Sequence, residues 1–189
     1  MGLFDNILNT ANNASTNASK GNGGNESVTF TFAKLPESLA ELQALPEASM
    51  DTPYKTAALS LLALCAFAAD EEIGKEMLNF LKGPEPLTPS EISFIKDRFR
   101  DSKLVPFSYF KGAKPENNYT PDVPFTVTIF SNPYSFQNEN FATLHVKSGG
   151  ADSPRQFRLR LKPSTGVWYL LEQMVLVGIR PAVKDDPWA

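Results

Sequence analysis

Residues 53–69, PYKTAALSLLALCAFAA, constrain this chain more than any other segment. Asp51 or Thr52 can cap a helix there, and Pro53 fits its first turn. Leu59, Leu61, Leu62, Leu64, Cys65 and Phe67 then place apolar bulk nearly all round the helix. Such a helix needs partners on every side. The apolar stretch, 57–69 with Ser60 inside it, is short of the roughly 20 residues that span a bilayer. Its place is therefore the middle of a folded core.

The flanking sequence supplies further helices. Pro36 precedes a short one over 38–45, with Leu39, Leu42 and Leu45 on one side. Asp70 caps Glu71–Lys82, which turns Ile73, Met77, Leu78 and Leu81 inward, and Gly83-Pro84 stops it. Thr88-Pro89-Ser90-Glu91 is a capping box opening a helix to about Arg100, with Ile92, Ile95 and Phe99 buried.

Strands come at both ends of this helical block. Ser27–Ala33 alternates Val28, Phe30 and Phe32 with threonines, the pattern of a half-buried strand. After Lys103 the period changes from 3.6 to 2. Residues 105–110 read as a short strand and 111–124 as a loop. Phe125–Phe130, 140–148, Arg155–Lys162 and Val167–Gln173 alternate cleanly, and Pro163-Ser164-Thr165-Gly166 reads as the hairpin turn between the last two. Together these predict an α+β domain: an N-terminal helical cluster packed on one face of a C-terminal antiparallel meander, whose other face is wet.

The predicted domain spans 27–189. Ahead of it, 1–11 reads as a short amphipathic helix, with Leu3, Phe4, Ile7 and Leu8 on one face, or as disordered. Residues 12–26 are Asn, Ser, Ala and Gly with little apolar bulk, a flexible linker. The net charge of −3 gives no basic field for nucleic acid. A single cysteine precludes an internal disulfide. With no secretory pattern at the N-terminus, a cytoplasmic protein is expected.

Few residues suggest chemistry. Cys65 lies inside the apolar helix, where an inert thiol is expected. One cysteine and one histidine cannot make a zinc site. The sequence points to no catalytic set, no metal site and no cofactor. His145 and Lys147 share the polar phase of one strand, and Arg158, Arg160 and Lys162 that of its neighbour. If the two faces coincide they form a positive patch for an anion or an acidic partner. The alternative is a solvated sheet face with an exposed histidine. Tyr109, Tyr119, Tyr134 and Phe136 fall in Pro- and Asn-rich loops and are candidate partner-binding aromatics. Trp188 is expected to dock on the domain.

The second half carries unusual strings: Pro115-Glu116-Asn117-Asn118-Tyr119-Thr120-Pro121, Asn132-Pro133-Tyr134-Ser135, Gly150-Ala151-Asp152-Ser153-Pro154-Arg155 and Asp186-Pro187-Trp188-Ala189. With Trp168–Gln173 these resemble an uncharacterised family of Gram-positive anaerobic bacteria, over about residues 35–189. The resemblance implies a bacterial cytoplasmic protein and transfers no site. The expected function is a non-enzymatic module that binds a protein partner. Two alternatives stand beside it: a small-ligand binder or enzyme with a pocket between helices and sheet, and membrane association through residues 2–11. The oligomeric state stays open.

Overall fold

A computed structural model describes residues 25–188 of the chain. The expected helix at 1–11 and most of the linker at 12–26 lie outside the described residues. Glu26, at the end of that linker, already belongs to the domain. Its carbonyl accepts from the Ser131 N–H at 2.8 Å, and its carboxylate accepts from the Tyr54 hydroxyl at 3.2 Å.

The order of elements is β1 (Ser27–Phe32), α1 (Leu39–Gln43), α2 (Pro53–Ala69), α3 (Glu71–Lys82), α4 (Pro89–Asp101), β2 (Phe125–Phe130), β3 (Phe141–Val146), β4 (Arg155–Lys162) and β5 (Val167–Gln173). The five strands form one antiparallel sheet in sequence order. The helices lie between β1 and β2 in sequence, and four strands follow them as a meander. This is the predicted α+β arrangement.

Helix α2 is its centre. The Thr52 side chain accepts from the Lys55 N–H, and Pro53 begins the first turn. Every residue from Pro53 to Ala68 except Lys55 is buried. One flank lies on the inner sheet face against Val127, Ile129, Leu144, Phe157, Leu159 and Leu170. Another meets α3. Each fully buried leucine removes enough apolar area to stabilise the fold by about 2 kcal/mol. The buried hydroxyls are satisfied, Thr56 donating to the Trp168 carbonyl at 2.7 Å and Ser60 to the Thr56 carbonyl at 2.7 Å.

Asp70 ends α2 and caps α3, its carboxylate accepting from Glu72 and Ile73 N–H groups at 2.9 and 3.1 Å. Gly74 lets the two helices close up, because a β-carbon there would fall on the Phe67 backbone. In α4, Thr88 and Glu91 complete the capping box, and Phe99 meets Phe67 with centroids 5.8 Å apart.

One expected element is different. Residues 105–110 are not a strand: Val105–Tyr109 is a 3₁₀ turn. Pro106 has no N–H to give a ladder. The Phe107 N–H bonds to the Leu104 carbonyl at 3.0 Å, and Phe110 to Phe107 at 3.1 Å. Buried residues fall at 105 and 108 and at 106 and 109, a three-residue period that resembles strand alternation over so short a run.

That turn fills a gap in the sheet. Strands β2 and β3 share only two register pairs, Ile129 with Val146 and Phe130 with His145, before they part. The turn and its continuation enter the gap: Lys111 N–H donates to the Thr126 carbonyl and Gly149 N–H to the Ser108 carbonyl, both at 2.8 Å. Segments 104–122, 148–155 and 175–186 meet there as a loop annex, with a small apolar cluster of Ala113, Tyr119 and Ala182 at its heart. Trp188 does not dock. It is 93% exposed, in a segment held by its N–H to the Asp186 carboxylate at 2.8 Å.

Candidate functional site

The two basic strands do turn the same way. Thr143 pairs with Arg158, His145 with Gln156 and Phe141 with Arg160, so the polar phases of β3 and β4 share the outer face. The charges there are largely compensated. Arg158 meets Glu172 at 3.1 Å. Arg160 meets Glu85 at 3.4 Å and stands 5.6 Å above the Phe141 ring. Lys162 is exposed at the end of its strand. Lys147 follows β3 and lines the cleft where β2 and β3 part.

His145 is buried rather than exposed, because the loop joining β2 to β3 returns over it. Its ring lies 5.6 Å from that of Phe130. Nε2 is 2.9 Å from Asn132 Nδ2. Asn132 Oδ1 already accepts from the Tyr134 N–H at 2.9 Å, so Nδ2 is the donor and the ring accepts on Nε2. The imidazole is therefore neutral with its proton on Nδ1. Burial pushes its pKa below the usual histidine value.

The aromatic set divides. Tyr109 and Tyr119 are not surface groups: both rings are buried and both hydroxyls donate to carbonyls of the annex, Tyr109 to Val175 and Tyr119 to Arg180. Burial raises both phenols above the usual tyrosine value. Tyr109 packs in the main core and Tyr119 in the annex cluster, each with its hydroxyl bonded to the returning C-terminal segment. Tyr134 and Phe136 stay at the surface, Tyr134 with 70% of its area exposed.

The Tyr134 loop is tightly tied. The Asn132 N–H donates to Ser135 Oγ at 2.9 Å, the Ser135 N–H to the Asn132 carbonyl at 3.1 Å, and the Thr143 N–H to the Ser135 carbonyl at 2.9 Å. With the Asn132–His145 contact these bonds fix the turn that carries Tyr134.

The interface between α2 and the sheet is filled. Leu59, Leu61, Leu62, Ile129, Leu144 and Leu159 have no accessible surface. The cleft between β2 and β3 lies elsewhere, at the edge of the annex, and draws Ser108, Lys111, Lys147 and Ser148 from separate segments. Of these only Lys147 stands out in the sequence. No spacing signal joins it to Lys111.

Cys65 is buried in α2, and burial pushes its thiol pKa up. Among the described residues, no three His, Cys, Asp or Glu side chains gather as a metal site, and no helix is long and apolar enough to cross a membrane.

Two of the unusual strings, 115–121 and 150–155, meet the 175–186 segment in the annex. Asn118 Oδ1 accepts from the Lys184 N–H at 2.9 Å. The Arg180 N–H donates to the Gly150 carbonyl at 2.9 Å, and its guanidinium pairs with Asp152 at 2.9 Å. Arg155 donates to the carbonyls of Val177 and Gly178 at 2.8 and 2.6 Å. These residues staple loops together.

No curated protein and no solved structure matches the chain. A family model described as a domain of unknown function (DUF6935) matches residues 34–183, from just after β1 to the annex, and the chain belongs to that family.

Proposed function

We propose that this domain is a non-enzymatic binding module that recognises a protein partner through the Tyr134 loop. One observation carries the reading: a large aromatic side chain stands 70% exposed on a turn whose backbone is fixed by its own hydrogen bonds. A turn whose backbone is fixed in this way loses little backbone freedom on binding. Aromatic anchors of this kind are enriched among residues that dominate interface energetics. Phe136, partly exposed on the same loop, widens the apolar contact. The filled helix–sheet interface favours this reading over an internal pocket. The single cysteine and the resemblance of the second half to a bacterial family support a cytoplasmic, bacterial setting.

The test compares proteins captured from native lysate of the source organism by the full chain and by its Tyr134→Ala/Phe136→Ala variant. A partner retained by the first and lost by the second, with both chains folded by circular dichroism, supports the reading. Equal capture by both contradicts it.

A further inference from the structure

The parting of β2 and β3 leaves a cleft of about 620 Å³ on the outer side of the sheet. Gly149 makes its floor possible: a β-carbon there would overlap the Ala113 carbonyl oxygen, so only glycine lets the two walls approach so closely. On that floor Ser148 Oγ donates to Ser108 Oγ at 2.7 Å, while Ser148 itself accepts from the Gly150 N–H at 3.0 Å. Both serines are buried. The Ser108 proton has no acceptor among the described residues and remains a donor for the cleft.

Two lysines complete the walls. Lys111 comes from the segment after the 3₁₀ turn and Lys147 from just past the end of β3. Neither lies within ion-pair reach of a carboxylate among the described residues, whereas Lys82, Arg158, Arg160 and Arg180 all do. Asp122 lies beside Gly112 and is not among the lining residues. Among the described residues no acid and no arginine line the cleft. On a chain of net charge −3, two uncompensated ammonium groups beside a spare hydroxyl donor mark a place for an anion with several acceptor oxygens. Lysine ammonium groups act as point charges and can hold a phosphate without an arginine fork. Phe110 and Phe130 give the same cleft an apolar wall. Its volume is that of a small-molecule site rather than of a lone ion.

We propose that this cleft binds a phosphate monoester of a compact organic molecule, with the phosphate between Lys111 and Lys147 above Ser108 and the organic group against Phe130. The site is separate from the Tyr134 loop and does not depend on it.

The experiment is an amide-resonance titration of the full chain with inorganic phosphate, adenosine monophosphate and adenosine. Saturable shifts at Lys111, Gly112, Lys147 and Gly149 are expected with both phosphates, tighter for the nucleotide, and none with adenosine. Lys111→Gln and Lys147→Gln, both surface changes, each weaken binding about tenfold, the loss of one charge-assisted contact. The site is overturned by an absence of saturable shifts, by shifts confined to other residues, or by unchanged affinity in both variants. Adenosine binding as well as its phosphate overturns the anion assignment. A nucleotide no tighter than phosphate overturns the organic half.

Discussion

Leu62 in α2 and Tyr119 in the loop annex are almost equally hidden from water, at 0% and 1% exposure. They are held in place by different physics. Leu62 sits among aliphatic and aromatic side chains from helices and sheet, and its position follows from how much apolar area a leucine can bury. Tyr119 has a left-handed backbone, φ 53°, directly after Asn118 at φ 54°. A bulky residue stays in that region only when its surroundings impose it. Here they are the Tyr119 hydroxyl bond to the Arg180 carbonyl, the Asn118 bond to Lys184 and the small cluster with Ala113 and Ala182. The core is non-directional and redundant. The annex is directional, its loops held to one another by individual hydrogen bonds.

The largest effect is expected in the core. Leu62→Ala removes a side chain with no accessible surface and leaves a cavity among close-packed neighbours. Its cost is about 2–5 kcal/mol by denaturant unfolding. A loss under about 1 kcal/mol would mean that α2 is loosely packed.

Lys82 is a polar exception inside the core region, 6% exposed at the end of α3. Its ammonium donates to Glu91 at 2.8 Å and to the Leu171 carbonyl at 3.1 Å, joining α3, α4 and β5. Lys82→Ala orphans that carbonyl and costs about 1–3 kcal/mol. Partial burial raises the Glu91 carboxyl, but the bonds from Lys82 and Thr88 outweigh it and hold the pKa below its usual value. The stability this carboxylate contributes is therefore full above the ordinary glutamate range and declines as pH falls below it. The variant should show a shallower acid limb in its stability profile. An unchanged limb would place the acid sensitivity elsewhere.

In the annex, Tyr119→Phe keeps the ring and removes one hydrogen bond, for about 1 kcal/mol. Its signature is local: faster exchange of the Arg180 and Lys184 amides, with α2 unaffected. Uniform acceleration would mean that annex and core open together.

His145 gives a pH handle on the Tyr134 loop. Burial lowers its pKa, so below the ordinary value of 6.5 the unfolded chain takes up a proton that the folded chain resists. The contribution is complete above that pH and is lost as pH falls through the lowered folded value. Protonation also sets an Nε2–H against the Asn132 amide donor. Stability should fall on mild acidification, and the Tyr134 amide resonance should move with it. His145→Gln, which cannot titrate, should abolish both. Persistence of the slope in that variant would remove His145 from the account.

Tyr134→Ala should change unfolding free energy by no more than about 0.5 kcal/mol, as expected for an exposed side chain, even while it abolishes partner capture.

Much of the core was legible in the sequence because local rules describe it. Thr52-Pro53, Asp70 and Thr88–Glu91 announced their helices by capping chemistry, and strand alternation assigned Val127, Ile129, Leu144, Phe157 and Leu159 to the buried face. The annex was not legible, because its partners are far apart in the chain. Tyr119 and Arg180 are 61 residues apart and Asn118 and Lys184 are 66 apart. The same holds for the cleft, which Lys111 and Lys147 both line only because β2 and β3 share two pairs and then part. His145 was misread for a related reason. Alternation identifies the sheet face, and it carries no information about the loop that returns to roof that face.

The central claim is that the core fixes the fold while the annex is a separate, locally held layer against it. Native-state hydrogen exchange across a series of denaturant concentrations tests it most directly. The account predicts that amides of α2 and β4 exchange only through global unfolding, whereas those of Lys111, Gly149, Arg180 and Lys184 exchange through smaller openings that respond weakly to denaturant. Annex and core amides merging on a single line, with one opening free energy and one denaturant slope, would contradict it.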